Sequence, residues 1–190
     1  ICTLVNKLKK NPDTNAIKNH YWQDKIHETF IIRSLDNLPN LKWSREEARK
    51  YIYRYPLRLT HQILSGYIST SRGCRHGCTF CSPSVRKSYG KKLRLRSTHK
   101  VVNEIEYLRN QGINLISIED DDFTGNKEHV RSICNEIYKR KLGVHWTCHA
   151  RIDEVDHELL TCMHKAGCVL ILFGIESGSS QIIKNLRKMP

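Results

Sequence analysis

Between Gly66 and Ser179 the sequence alternates short apolar runs with longer stretches of helical periodicity, and this alternation limits the possible folds more than any other property of the chain. Gly66 to Ser71 reads as a strand, and a helix follows over about 98–110 with Val101, Val102, Ile105 and Leu108 on one stripe. Leu115 to Ile118 is a second strand. Asn126 caps a helix carrying Val130, Ile133, Cys134, Ile137 and Tyr138 on one face, which Gly143 ends. Val144 to His149 is a third strand, followed by a helix from Asp156 to Ala166 with Leu159, Leu160 and Met163 inward and Gly167 as its stop. Cys168 to Gly174 is a fourth strand, and Ser179 caps a last helix. Strands returning through helices imply right-handed crossovers. The pattern therefore predicts an α/β fold with a parallel sheet, covered by helices on its outer face if it curls towards a barrel.

Just after the first strand comes the run Thr70-Ser-Arg-Gly-Cys-Arg-His-Gly-Cys-Thr-Phe-Cys-Ser-Pro83, which puts Cys74, Cys78 and Cys81 on one short loop. Soft thiolate ligands select iron–sulfur clusters, zinc or copper(I), and an iron–sulfur cube usually takes four cysteines. Here the local motif supplies three, which leaves one iron open to bind a substrate or cofactor. Gly73 and Gly77 allow the tight turns and close backbone approach that such a loop needs. The competing readings are a structural zinc loop completed by a histidine such as His76, and ordinary core cysteines.

With Phe80 directly before the last cysteine, this segment resembles the radical S-adenosylmethionine (SAM) superfamily, whose signature is C-x3-C-x2-C with an aromatic residue at that place. The resemblance implies a [4Fe-4S] cluster on Cys74, Cys78 and Cys81 with SAM bound at the open iron. It implies an enzyme that cleaves SAM reductively to a 5′-deoxyadenosyl radical, fed by a reductant such as flavodoxin or ferredoxin. It also implies a partial βα barrel, typically of six units, of which four are present here, so the chain is expected to be incomplete at its C-terminus and to leave an unpaired sheet edge. The active site is expected in the loops at the carboxyl ends of the strands.

Further residues take roles from the same resemblance. Glu119-Asp-Asp-Asp122-Phe123-Thr124 follows the second strand and resembles an Asp-Asp-x-Phe-Thr segment of the cobalamin-linked branch, which carries a contact to the methionine amino group to Asp120 and Asp121. A solvated turn is the alternative for these acids. Arg151, after the third strand, takes the SAM carboxylate, a role that the fork of a guanidinium suits geometrically; a salt bridge to Asp153 or Glu154 is its alternative. Phe173-Gly-Ile-Glu-Ser-Gly178 places Glu176 at the ribose hydroxyls with Ser177 beside it, and Gly174 and Gly178 let backbone approach the nucleoside. Phe80 joins these cofactor-binding residues.

Upstream, Ile1, Leu4, Val5 and Leu8 recur at helical spacing before Asn11-Pro12, Ile26 to Ile32 reads as a short strand, and Leu35-Asp-Asn-Leu-Pro39 as a turn into a basic stretch from Lys42 to Leu59. This arrangement resembles the join between a cobalamin-binding domain and a radical SAM domain. Residues 1–60 are accordingly expected to be a linker with the remnant of such a domain, and residues 61–190 the radical SAM core. Ile1 is not an initiating Met, so a fragment is expected, one that is poorly soluble or inactive on its own. Its parent then becomes a cobalamin-type methyltransferase or related enzyme acting on a small molecule or lipid, with cobalamin possible in the full-length protein.

The formal charge of +13 is concentrated beside the cysteines, with Arg86, Lys87, Lys91, Lys92, Arg94, Arg96 and Lys100 uninterrupted by an acid. A solvated loop or a phosphate track explains it, the latter suggesting an RNA-modifying methylthiotransferase-like enzyme as an alternative, although Cys2 is the sole cysteine in residues 1–60. Cys134, Cys148, Cys162 and Cys168 read as small core residues. A second zinc set from His145, Cys148, His149, Cys162, His164 and Cys168 meets the objection that adjacent strand residues face opposite ways. No apolar run approaches the roughly 20 residues that span a bilayer, and cysteines of this pattern suit a reducing compartment, so a cytoplasmic protein without a transmembrane segment is expected.

Overall fold

A computed structural model describes residues 32–40, 44–50, 64–81 and 92–188. The helix expected at Ile1–Leu8, the strand expected from Ile26 apart from its last residue, and most of both basic stretches lie outside the described residues. Strand β1 (Ser65–Ile68) is followed by the short β2 (Ser71–Arg72) and β3 (Arg94–Leu95), and by β4 (Leu115–Ile118), β5 (His145–Ala150) and β6 (Cys168–Phe173). The helices are α1 (Arg45–Arg49), α2 (Thr98–Asn110), α3 (Lys127–Lys139), α4 (His157–Lys165) and α5 (Ser180–Asn185).

The main sheet runs β1-β4-β5-β6 with every pair parallel, while β2 and β3 form a small antiparallel pair of their own. All four residues of β4 are buried, which is why it reads as Leu-Ile-Ser-Ile rather than as an alternating strand. On the helical side, Val101, Val102, Ile105 and Leu108 of α2 and Val130, Ile133, Cys134 and Ile137 of α3 are buried against the sheet. Trp146 of β5 lies wholly inside; its indole donates to Ala166 O at 2.9 Å and its ring meets Phe123 edge-on at 5.8 Å. The local signals that set the helices are physical ones. Asn126, Asp156 and Ser179 each accept from a backbone N–H of the first turn, and Gly167 takes φ +95° where α4 turns into β6.

Three details depart from the sequence-based expectation. Tyr138 is 66% exposed, because it sits on α3 roughly 110° round from the centre of the buried arc, at the rim of the apolar stripe. The strand expected over Gly66 to Ser71 breaks at Ser69–Thr70, where Asp120 captures the backbone N–H groups of Thr70 and Ser71 and diverts the chain into β2. Parts of the stretch read as linker also pack inward. Leu35 and Ala48 are buried, Asp36 Oδ1 accepts from Ser97 N at 2.9 Å, and Lys100 Nζ reaches Asp36 O at 2.6 Å, so this segment is stitched to the start of α2.

Cys134, Cys148 and Cys168 are buried and Cys162 half-buried. Hydrogen bonding to Cys168 and burial push the Cys148 thiol up, and burial with the neighbouring Cys162 does the same to Cys134. His149 is exposed while Cys148 is buried, so the two lie on opposite faces of β5. Among the described residues, no helix is long and apolar enough to cross a membrane.

Candidate functional site

The loops that leave the carboxyl ends of the parallel strands meet at one edge of the sheet. From β1 and β2 comes the loop carrying Cys74, Cys78 and Cys81, from β4 the acidic run 119–122, from β5 the Arg151–Glu154 turn, and from β6 the Gly174–Ser179 segment. Short contacts tie these loops together. Cys78 is buried and its sulfur lies 3.5 Å from Arg151 Nη1; Cys74 is half-buried with Asp122 Oδ2 at 3.7 Å; Cys81 is exposed, its N–H donating to Cys78 O at 3.3 Å. Burial, reinforced by the charge of Asp122, pushes the Cys74 thiol up to about 11. A thiol so placed gives up its proton when a cation takes its place.

The three consecutive aspartates have three different fates. Asp120 is buried and turned away from solvent, where Oδ1 accepts from Thr70 N at 2.6 Å and Ser71 N at 3.1 Å, and Oδ2 from their hydroxyls at 2.5 and 2.8 Å. Burial raises its pKa against the opposing pull of those four bonds. Asp121 is exposed, and its Oδ2 accepts from Gly73 N at 3.0 Å, one residue before the first cysteine. Asp122 is buried between Cys74 and Glu154. Burial and the adjoining Glu154 carboxylate hold Asp122 well above the usual carboxylate range; Glu154 is itself pushed up by burial, but bonds from Asp122, His76, Arg75 and Thr124 outweigh this and keep it low and ionised.

A pocket of about 200 Å³ opens beside the cysteine loop, lined by Asp121, Asp122, His149, Ala150, Arg151, Leu172, Gly174 and Lys188. Arg151 is engaged on several sides, by Asp153 Oδ2 at 2.6 Å, by the carbonyl of Lys188 and by Cys78, while its Nε, 4.0 Å from Glu154 Oε1, has no hydrogen-bond partner among the described residues. Glu176 sits in the left-handed region at φ +65°, a conformation that costs a residue with a Cβ on the order of 1 kcal/mol and tends to occur at functional sites. Its Oε1 meets Lys188 Nζ at 3.2 Å above Gly174. Ser177 Oγ accepts from Ser179 N at 3.1 Å and shapes the turn into α5. Phe80 is 48% exposed, with Lys188 Nζ 5.5 Å from its ring centroid.

The structure thus sets Asp121 and Arg151 in one pocket, places Cys74 and Cys78 against the pocket residues Asp122 and Arg151, leaves Cys81 exposed, sets Glu176 at the pocket's edge through Lys188, and turns Asp120 inward. Asp122, Glu154 and Lys188 were not singled out from the sequence as site residues. The basic residue 12 positions after Glu176 and the acid three after Arg151 carry no local pattern that marks them.

The chain is matched over residues 68–190 by the model of the radical SAM superfamily. It belongs to that superfamily. It is 33% identical over 163 residues to the cytidylyl-2-hydroxyethylphosphonate methyltransferase of Streptomyces wedmorensis, a match that covers 82% of this chain and 29% of that protein. It is 36% identical to an uncharacterised methyltransferase of Pyrococcus horikoshii, over 83% of this chain and 33% of the relative. Similarity to the anaerobic magnesium-protoporphyrin IX monomethyl ester cyclase of Rubrivivax gelatinosus is 31%, covering 72% and 24%. The chain spans about a third or less of the length of these curated relatives. Among solved structures, the radical SAM methyltransferase TsrM of Kitasatospora setae superposes with a TM-score of 0.60 at 23% identity, over 65% of this chain and 24% of that one. TsrM has been solved with tryptophan and a SAM analogue, and with cobalamin and a [4Fe-4S] cluster. Here the likeness establishes the shared fold.

The residues of the loop fit the cofactors that the family implies. Three soft sulfur donors lie within eight residues, and the buried Asp122 Oδ1 and Arg151 Nε, both in residues that line the adjoining pocket, lack hydrogen-bond partners among the described residues. Buried polar atoms left without partners in residues that line a pocket suit an incoming polar ligand.

Proposed function

We propose that this chain forms the cluster- and SAM-binding part of a radical SAM methyltransferase acting on a small molecule or lipid. The observation that carries the reading is that the loop bearing Cys74, Cys78 and Cys81 is tied, through Gly73 N to Asp121 and through Cys78 to Arg151, to two residues that line the pocket at the carboxyl ends of parallel strands. In this reading the three thiolates hold a [4Fe-4S] cluster. When bound, such a cluster supplies a low-potential electron for reductive cleavage of the sulfonium carbon–sulfur bond.

The chain's own residues bind, orient and enclose. Asp121 is exposed at the pocket and offers a carboxylate to the methionine ammonium, a role that Asp120 leaves to it because its four lone-pair sites are already used. Arg151 and Lys188 supply positive charge for the methionine carboxylate, and Glu176 and Ser177 face the nucleoside from the β6 side. Phe80 adds an apolar face beside the last cysteine. A cobalamin partner domain is supported by the resemblance of the upstream segment and by the similarity to methyltransferases.

The test is anaerobic turnover by the full-length protein with SAM and dithionite. The reading predicts SAM consumption that disappears when Cys74, Cys78 and Cys81 are replaced by alanine together; consumption that persists in that triple variant overturns it. Supplying cobalamin should shift the products towards S-adenosylhomocysteine, and a full-length protein with no corrinoid affinity overturns the cobalamin component alone.

A further inference from the structure

Glu154 lies in the one-turn segment Ile152–Glu154 after β5, 7% exposed, and its carboxylate gathers side chains from two other loops. Oε1 lies 2.6 Å from His76 Nε2 and 3.1 Å from Arg75 Nη2, and Oε2 accepts from Thr124 Oγ1 at 2.9 Å. Arg75 and His76 are two of the three residues between Cys74 and Cys78. One buried carboxylate therefore grips the middle of the segment whose ends are cysteines, while Gly73 N is held by Asp121 at 3.0 Å and Cys78 by Arg151 at 3.5 Å. The turn that carries Glu154 is itself closed by its N–H donating to Arg151 O at 3.2 Å.

His76, Asp122 and Glu154 also come within 4.8 Å of one another, a spacing that a divalent ion would accept. Two observations argue for a lock instead. His76 and Glu154 already touch at hydrogen-bond distance, and the guanidinium groups of Arg75 and Arg151, 3.1 and 4.0 Å from Glu154, supply the positive charge an ion would bring.

We infer that Glu154 is a positioning residue for the cysteine loop: it fixes the Cys74–Cys78 segment in its bent form before iron arrives, so that the thiolates do not have to be ordered at the cost of cluster binding. The inference rests on the cluster-binding reading above and adds a residue that no cysteine motif contains. Preorganisation of this kind shows in affinity and in loop dynamics, because the ordering entropy of the segment is spent on folding rather than on loading.

The experiment compares full-length wild-type protein with Glu154→Gln, with Arg75→Gln and His76→Gln, which remove the same contacts from the solvent side of the loop, and with Glu128→Gln on the exposed face of α3 as control. Hydrogen exchange of the cluster-free protein should show the hydrogen-bonded amides of Gly73, Thr79 and Cys81 exchanging at least about tenfold faster in Glu154→Gln, equal to about 1.4 kcal/mol of opening free energy. Arg75→Gln and His76→Gln should move the same amides by about threefold or more each, with the sheet amides and the control unchanged. Anaerobic reconstitution at limiting iron should then load less than about half as much cluster in Glu154→Gln as in wild type, with the deficit reduced at high iron. Exchange within twofold of wild type in all three variants, or equal loading at limiting iron, overturns the inference. A wild-type protein that takes up no iron and sulfide overturns the cluster-binding reading itself, a result distinct from equal loading by wild type and variant.

Discussion

Replacing Asp120 by alanine should be among the most damaging single changes to this fold, and the structure says by how much. The carboxylate accepts four hydrogen bonds, two from the fixed backbone N–H groups of Thr70 and Ser71 and two from their hydroxyls, all in a buried setting. Hydroxyls can rotate towards other acceptors, but the two N–H groups cannot. Each buried donor left alone costs about 1–3 kcal/mol, so alanine should lose about 3–5 kcal/mol after allowing for the relief of no longer burying a charge. Asparagine keeps one oxygen for the two N–H groups and presents an amide to the hydroxyls, which can turn to accept, so its cost should be about 1–2 kcal/mol. With a urea m value of about 2 kcal/mol/M, alanine lowers the unfolding midpoint by roughly 2 M and asparagine by less than about 1 M. Equilibrium urea unfolding followed by tryptophan fluorescence reads both, since Trp146 is fully buried. An alanine variant within about 0.5 M of wild type, or an asparagine variant as unstable as alanine, would refute the assignment of Asp120 as the tie between the end of β4 and the turn from β1 into β2.

Two glycines in the left-handed region offer a paired test. A Cβ at Gly167 would clash with the carbonyl oxygen of Val144, whereas one at Gly143 meets nothing within 4 Å among the described residues. Gly143→Ala should cost about 1 kcal/mol and Gly167→Ala at least about 3, a Tm difference of several degrees by calorimetry; equal losses would contradict the close approach of α4 to the start of β5. His129 is buried on α3, and burial lowers its pKa despite Asp120 and the Thr70 carbonyl. Below about pH 6.5 the unfolded chain takes up a proton that the folded His129 refuses, so stability falls as pH drops from there, by at most about 1.4 kcal/mol per pH unit. Replacement of His129 by glutamine should flatten the Tm profile between about pH 6.5 and 5, and an unchanged slope would remove His129 as its source.

The repeating architecture was legible because its signals are local. Asn126, Asp156 and Ser179 announce helix starts through their own side chains, Gly167 announces a turn through its φ, and the apolar stripe of α2 is complete within its own 13 residues. The cysteines were legible for the same reason. The rest of the site depends on distance in space. Nothing in Asp120-Asp-Asp122 says which carboxylate turns inward, since that is decided by Thr70 and Ser71 some 50 residues earlier. Glu154 finds His76 across 78 residues, and Lys188 reaches Glu176 from the far side of α5, 12 residues on. Tyr138 shows the limit of periodicity at the rim of a helix face, where a step of one residue separates core from solvent.

The iron and acid-labile sulfide content of the protein after anaerobic reconstitution tests the central claim most directly. A [4Fe-4S] cluster on Cys74, Cys78 and Cys81 predicts roughly four of each per chain with a broad brown absorption, and near-complete loss of both when any one of the three becomes alanine. Binding of zinc without sulfide, or a cluster indifferent to those substitutions, would contradict it.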